Sequence, residues 1–141
     1  MGGLIMEKSL VLIKPDAVRK NIIGKIIGMY EENDLKVIAL KMEKITEELA
    51  SKHYEEHIGK VFYKPLIDFI TSGPLCALIL EGENAIKKVR DINGSTDPKE
   101  AMIGTIRNLY ADSNRENCVH ASDSTESAKR EISLWFGKEY L

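Results

Sequence analysis

Long apolar runs are missing from this sequence. The longest, Leu75 to Leu80, covers six residues, where a membrane-crossing helix needs about 20, so no such helix is expected. The opening Met1-Gly2-Gly3-Leu4-Ile5-Met6 has neither the basic start nor the apolar stretch of an export signal, and Met6 stands where a myristoylation signal carries Ser or Thr. The expected location is cytoplasmic. Cysteine is scarce: Cys76 and Cys118 are too few for a disulfide framework or a four-thiolate metal site, and both are expected as buried thiols. An excess of either charge is also lacking. Twenty Lys plus Arg against 22 Asp plus Glu leaves a net charge of −2, which gives no general attraction to nucleic acid or an acidic membrane surface, so any anion site has to be local.

Several familiar phosphate-binding signatures are absent too. A P-loop needs Gly-Lys followed by Ser or Thr, and the Gly-Lys pairs here run into Ile26, Val61 and Glu139. No dinucleotide-binding glycine fingerprint, internal repeat or low-complexity tract is found. Asn93-Gly94-Ser95 is a glycosylation sequon that has no use without export. What is present is an ordinary globular composition, 43% apolar and 30% charged over 141 residues, enough for one core and one domain spanning 1–141.

Hydrophobic periodicity places the elements. Ser9 to Lys14 is a β-branched apolar run stopped by Pro15, a buried strand that delivers Lys14 at its C-terminal end. From Asp16 a helical period puts Val18, Ile22, Ile26, Ile27 and Tyr30 on one face and fades at Asn33-Asp34. Leu35 to Ile45 alternates as a strand with one wet face, and Thr46 caps a helix with Glu47 and Glu48 in its first turn. Pro65 to Ser72 is a short helix, Leu75 to Leu80 a second apolar strand, and Asn84 to Asp91 a helix with Ile86, Val89 and Ile92 inward. Asn93 to Ile103 has no period and reads as a long loop. Asn117 to Ala121 is a brief strand. Asp123 opens a last helix, with Glu126 at capping-box spacing and Ala128, Ile132, Trp135 and Phe136 on one face. The order β-α-β-β-α-β predicts a ferredoxin-like antiparallel sheet covered by helices, an α/β (α+β) fold that hosts many activities.

Two groups of histidines could carry chemistry. In His53-Tyr54-Glu55-Glu56-His57 two imidazoles at i, i+4 with an intervening Glu have the spacing of a zinc peptidase; the alternative is a solvated helix face. His120 lies where a strand runs into Ala121-Ser122-Asp123-Ser124 at a helix start, near free backbone N–H groups that favour an anion. A neutral imidazole there is a competent nucleophile toward phosphorus, and a satisfied core histidine is the alternative.

Asn117-Cys118-Val119-His120-Ala121-Ser122-Asp123-Ser124 closely resembles the active-site signature of the nucleoside diphosphate kinase family, Asn-x-x-His-Gly/Ala-Ser-Asp-Ser. The resemblance extends from Lys14-Pro15-Asp16 through His53-Tyr54-x-x-His57, Phe69-Ile70-Thr71-Ser72-Gly73-Pro74 and Gly104-Thr105-Ile106-Arg107 to Glu126-Ser127-Ala128 and Leu134-Trp135-Phe136. It implies that His120 takes the γ-phosphoryl group from a nucleoside triphosphate and passes it to a diphosphate, in a ping-pong cycle through phosphohistidine at Nδ1. Ser122 and Glu131 would orient the imidazole, a carboxylate on one ring nitrogen fixing the tautomer, although Ser122 also fits a helix N-cap. Arg90 and Arg107 match the family's phosphate-binding arginines, whose planar forks suit paired oxygens; singly, each would read as a surface charge. Thr96 would add a hydroxyl donor, and Lys14 and Asn117 would bond the sugar hydroxyls, with Lys14 also near the transferring phosphate. Tyr54 would pack against the site. Phe62 matches the aromatic on which any base can stack, which implies broad base tolerance, with a core phenylalanine as the alternative. The family also implies Mg2+ held mainly by nucleotide phosphates and water, nucleoside tri- and diphosphates as partners, no membrane and no specific nucleic acid. It implies a homo-oligomer as well, a hexamer first and a tetramer second.

The sequence departs from the family pattern at three places. Ala121 replaces the frequent Gly after the histidine, which requires a backbone conformation open to L-residues. Ile103 precedes Gly104 where Pro is usual, and Asn108-Leu109-Tyr110 follows Arg107 in place of Gly-Asp-Phe, departures that bear on the rigidity of this loop and on its contacts between subunits. The chain stops at Leu141, short of the bracing tail of many members.

Overall fold

A computed structural model describes residues 5–141; Met1–Leu4, part of the opening read above for an export signal, lie outside the described residues. The apolar run after Lys8 forms the central strand β1 (Met6–Ile13), with β2 (Lys36–Glu43), β3 (Leu75–Glu83) and β4 (Val119–Ala121). Their order is β2-β3-β1-β4, with every neighbouring pair antiparallel. This is the expected ferredoxin-like sheet. The helices are α1 (Pro15–Arg19), α2 (Ile23–Glu32), α3 (Glu47–His53), α4 (Tyr63–Ile70), α5 (Ala85–Asn93), α6 (Ile106–Tyr110) and α7 (Thr125–Phe136).

Successive side chains of a strand point to opposite faces, so a strand with helices above and below must be apolar throughout. In β1, Val11 and Ile13 enter a core shared with Ile26, Tyr30 and Val89 of α2 and α5, while Leu10 and Leu12 enter a second core shared with Ala50, Ile67, Ile132 and Trp135. Both cysteines are buried and free. Among the described residues no helix is long and apolar enough to cross a membrane.

Three local readings need correction. The helical period after Asp16 is two helices, because Asn21 takes a left-handed conformation (φ 60°) that interrupts the hydrogen-bond ladder while leaving Ile22 buried. The alternation in β2 is broken by a bulge between Val37 and Ala39, which leaves Leu40 and Met42 exposed on this edge strand. The last helix is capped by Ser124 instead of Asp123: the Ser127 backbone N–H donates to Ser124 Oγ at 3.0 Å. The sequence reading also missed α6, a five-residue helix after the long loop.

Candidate active site

The site is built where β1 and β4 end side by side. Lys14 follows β1 directly and is 6% exposed. Its Nζ donates to Asn117 Oδ1 at 2.6 Å and to the Arg115 carbonyl at 3.1 Å, and burial lowers its pKa to about 8. Asp16, in the first turn of α1, reaches across to the other strand. Its Oδ2 accepts the Cys118 N–H at 3.0 Å, fixing Cys118 at φ 74°, a conformation costly for a residue with a Cβ. The left-handed turn separates Asn117, spent on Lys14, from Val119 and His120, which pair with β1.

His120 stands opposite Leu12 in the β1–β4 ladder and is partly exposed. Its Nε2 lies 3.1 Å from Oε1 of the buried Glu131. Ser122 Oγ donates to the same oxygen at 2.8 Å and accepts the Leu10 N–H at 3.1 Å. Ser122 caps no helix, the cap of α7 being Ser124; its hydroxyl and the His120 ring meet at one carboxylate oxygen. A glutamate already receiving a hydroxyl proton takes an N–H from the ring, so the His120 proton sits on Nε2, and no group among the described residues bonds Nδ1. Ala121 pairs with Val11 in extended backbone, which an alanine adopts freely.

Arg107 projects from α6 and is more embedded than a purely ligand-binding arginine. Nε, NH1 and NH2 donate to the carbonyls of Asn117 (3.3 Å), Gly94 (2.8 Å) and Val119 (2.7 Å), so the guanidinium ties the long loop to β4. Burial lowers its pKa. The loop departures find their explanation here. Without proline, the turn before α6 is closed reciprocally: Thr105 Oγ1 accepts the Asn108 N–H at 3.3 Å, and Asn108 Oδ1 accepts the Gly104 N–H at 3.2 Å.

These elements enclose an open cavity of about 1430 Å³. Lys14, Tyr54, Arg90, Thr96, Arg107, Asn117, His120 and Glu131 all line it, and Ser122 lies behind Glu131. Thr96 and Arg90 are exposed on its wall, and the N-terminus of α7, at Ser124 and Thr125, opens onto it. Asn117 is committed within the protein. Its Nδ2 donates to the carbonyls of Asn114 (3.0 Å) and Thr96 (3.3 Å), so it braces Lys14 and the Thr96 loop. Phe62, like Ser122, is a predicted site residue outside the lining. It is 41% exposed, which rules out the core reading, and packs on His57 with ring centroids 5.3 Å apart. Arg130, which the sequence reading missed, also lines the wall and holds the carbonyls of Lys52 and His53 at 3.1 and 3.0 Å.

The zinc spacing does not survive folding. Helix α3 ends at His53 and His57 lies in a separate 3-10 turn, so the two imidazoles do not share a helix face, and His53 is buried instead of solvated. His53 Nδ1 accepts the Trp135 indole N–H at 3.0 Å. A cluster of His53, His120 and Glu131 does bring one potential ligand atom from each within 4.8 Å. With the Nδ1 lone pair taken by the indole, however, neutral His53 carries its proton on Nε2, which withdraws that atom from coordination. For Mg2+ the donor set has a different fit: apart from Glu131, spent on His120 and Ser122, no lining carboxylate is buried. That suits a hydrated ion carried on phosphates, not a protein cage.

An enzyme that moves phosphoryl groups asks its protein mainly for fixed cations and for a nucleophile held in one tautomer, and this fold gathers both around one cavity; the class is a phosphotransferase. The family model described as nucleoside diphosphate kinase matches residues 7–141. A nucleoside diphosphate kinase of Clostridium perfringens is 58% identical, with 96% of this chain and 94% of the relative covered. One of Caldanaerobacter subterraneus is 53% identical, with 94% and 96% covered. Among solved structures, the Aquifex aeolicus nucleoside diphosphate kinase superposes with a TM-score of 0.91 at 41% identity, covering 94% of this chain and 96% of that one. The chain belongs to the nucleoside diphosphate kinase family, and its activity is phosphoryl transfer between nucleotides.

Proposed function

We propose that His120 is the nucleophile of a ping-pong cycle. Its Nδ1 lone pair attacks the γ-phosphorus of a nucleoside triphosphate, the bond to the β–γ bridging oxygen breaks, and the diphosphate leaves with that electron pair. In the second half-reaction a terminal oxygen of another diphosphate attacks the same phosphorus and the N–P bond breaks, restoring the imidazole. The Nε2 proton stays on the ring throughout, shared with Glu131. The observation that carries this reading is the 3.1 Å His120–Glu131 contact in a cavity that also holds Lys14, Arg90 and Arg107.

In this reading Arg90, Arg107 and Thr96 bind the phosphate chain, and Lys14 reaches the transferring phosphate and the sugar. Asn117 holds Lys14 in place, and Tyr54 walls the site. Phe62 offers its exposed ring to the base, without edge-reading hydrogen bonds, which favours wide base tolerance. Bound with the nucleotide, Mg2+ neutralises charge on the phosphates. The assembly is a homo-oligomer, a hexamer ahead of a tetramer, with the exposed Met102, Ile103, Leu40 and Met42 available for contacts between copies. We place the enzyme in the cytoplasm as one domain over 1–141, acting on nucleoside tri- and diphosphates without membrane or specific nucleic-acid partners. The test is incubation with MgATP followed by addition of dGDP. Acid-labile, base-stable phosphate on His120, chased into dGTP and lost in His120→Ala, supports the reading. Turnover by the alanine variant overturns it; nucleotide binding without exchange would mark a regulatory domain, and sensitivity to a zinc chelator a metallopeptidase.

A further inference from the structure

The Nε2 atom of a histidine lies close to the Cβ–Cγ axis, so a hydrogen bond there resists rotation of the ring about that axis only weakly. His120 has its Nε2 tied to Glu131, yet attack on phosphorus needs Nδ1 aimed along a narrow line. Something else must stop the pivot. His53 lies against the ring: its centroid is 4.6 Å from that of His120 with the planes at 79°, an edge-to-face contact.

His53 is held more firmly than packing alone would require. It is 4% exposed, and its Nδ1 accepts the Trp135 N–H at 3.0 Å. It also meets Trp135 (5.5 Å, 80°) and Tyr54 (4.7 Å, 80°) edge to face. Arg130 grips its carbonyl. Trp135 and Glu131 are four residues apart on α7, hence on one face, one turn from each other. The same helix face therefore reaches the nucleophile twice, directly through Glu131 and indirectly through Trp135 and His53. Burial, and the neighbouring His120, keep the pKa of His53 well below its ordinary value, so the wall beside the nucleophile stays uncharged.

We infer that His53, locked by the Trp135 N–H in the tautomer protonated at Nε2, is a positioning residue that blocks rotation of the His120 ring about its Cβ–Cγ bond. It touches neither nucleotide nor phosphorus in this role. The inference rests on His120 being the nucleophile.

Three measurements on the full-length chain test it. Rapid-quench phosphorylation by MgATP is compared for wild type, His53→Asn and His53→Phe, alongside ADP affinity and thermal melting. Asn places an oxygen near the Nδ1 position and keeps the indole bonded but removes the ring; Phe keeps a ring and leaves the indole N–H unpaired. The expected result is phosphorylation of His53→Asn slowed at least tenfold with melting temperature and ADP affinity close to wild type, and a smaller rate loss with lowered melting temperature in His53→Phe. A wild-type rate in His53→Asn, or ADP affinity falling in parallel with the rate, overturns the positioning role. Should His53→Asn not fold, 15N chemical shifts of the wild-type imidazoles decide: Nε2 of His53 protonated and Nδ1 unprotonated from roughly pH 6 to 8 supports the inference, and the opposite tautomer overturns it. Phosphate found on a residue other than His120 in wild type would instead remove the nucleophile reading itself, before any variant is compared.

Discussion

Glu131 Oε1 is shared: it faces His120 Nε2 at 3.1 Å and accepts the Ser122 hydroxyl at 2.8 Å. A charge-assisted hydrogen bond is worth about 1.5–3 kcal/mol, or roughly tenfold to a hundredfold in rate. Glu131→Gln should therefore slow phosphorylation by about that factor while leaving ADP affinity within about twofold, as single-turnover kinetics and calorimetry would register. Ser122→Ala should slow it less and cost about 1–3 kcal/mol in stability, since the buried Leu10 N–H loses its acceptor.

Lys14 makes binding depend on pH. Burial brings its pKa down to about 8, and an anionic phosphate would draw it back up, so binding above pH 8 takes up a proton. Affinity for a nucleoside diphosphate should fall by about tenfold per pH unit above that point, and Lys14→Met should weaken binding and flatten the dependence. In the free protein the sign for folding is opposite. The unfolded chain keeps the lysine protonated to about 10.4, so between the two values it binds more protons than the native state and this group's contribution to stability rises with pH. Calorimetric titration in buffers of different ionisation enthalpy checks the first statement, and melting curves check the second.

Arg107 holds three carbonyls from the loop and β4. Its removal acts on the scaffold as well as on the ligand. Arg107→Ala should lower the melting temperature and raise the KM for nucleotide together. Arg107→Lys keeps a positive charge without the planar fork and should lose about tenfold or more in affinity. An Arg107→Ala protein of unchanged melting temperature would show that the three carbonyls contribute nothing.

Gly94 sits at φ 86° after α5 and presents its carbonyl to Arg107. A Cβ there would press on Thr105, whose Cβ would be 2.7 Å away. Gly94→Ala should cost about 1–3 kcal/mol and weaken nucleotide binding by displacing the turn that carries Thr96; Gly59→Ala, with open space around it at φ 90°, should pay only the backbone cost and leave binding intact. Denaturant melts and ADP titrations of the two variants separate these effects.

The strands were legible because their physics is local. A run such as Leu10–Ile13 is apolar at every position only if both faces are covered, which marks a central strand, and Lys14-Pro15 marks its end. Cap positions were less so: Ser124 competes with Asp123 one residue away, and Asn21 interrupts a helix without breaking its apolar period. The candidate site was readable only through its motifs, as residues in order along the chain. Nothing in the spacing announced that His53 and His57 part company, or that Phe62 stands outside the cavity wall.

Sequence by itself determined the element order, the family and the types of side chain available for phosphoryl transfer, because periodicity and motif are carried by neighbours along the chain. Tertiary structure alone decided the partners: which oxygen faces His120, that Asp16 holds Cys118 left-handed, that Trp135 sets the tautomer of His53. Those contacts join residues as much as 102 positions apart. A hydrogen bond is fixed by distance and angle in space, and only the closed sheet with its helices brings such groups within reach.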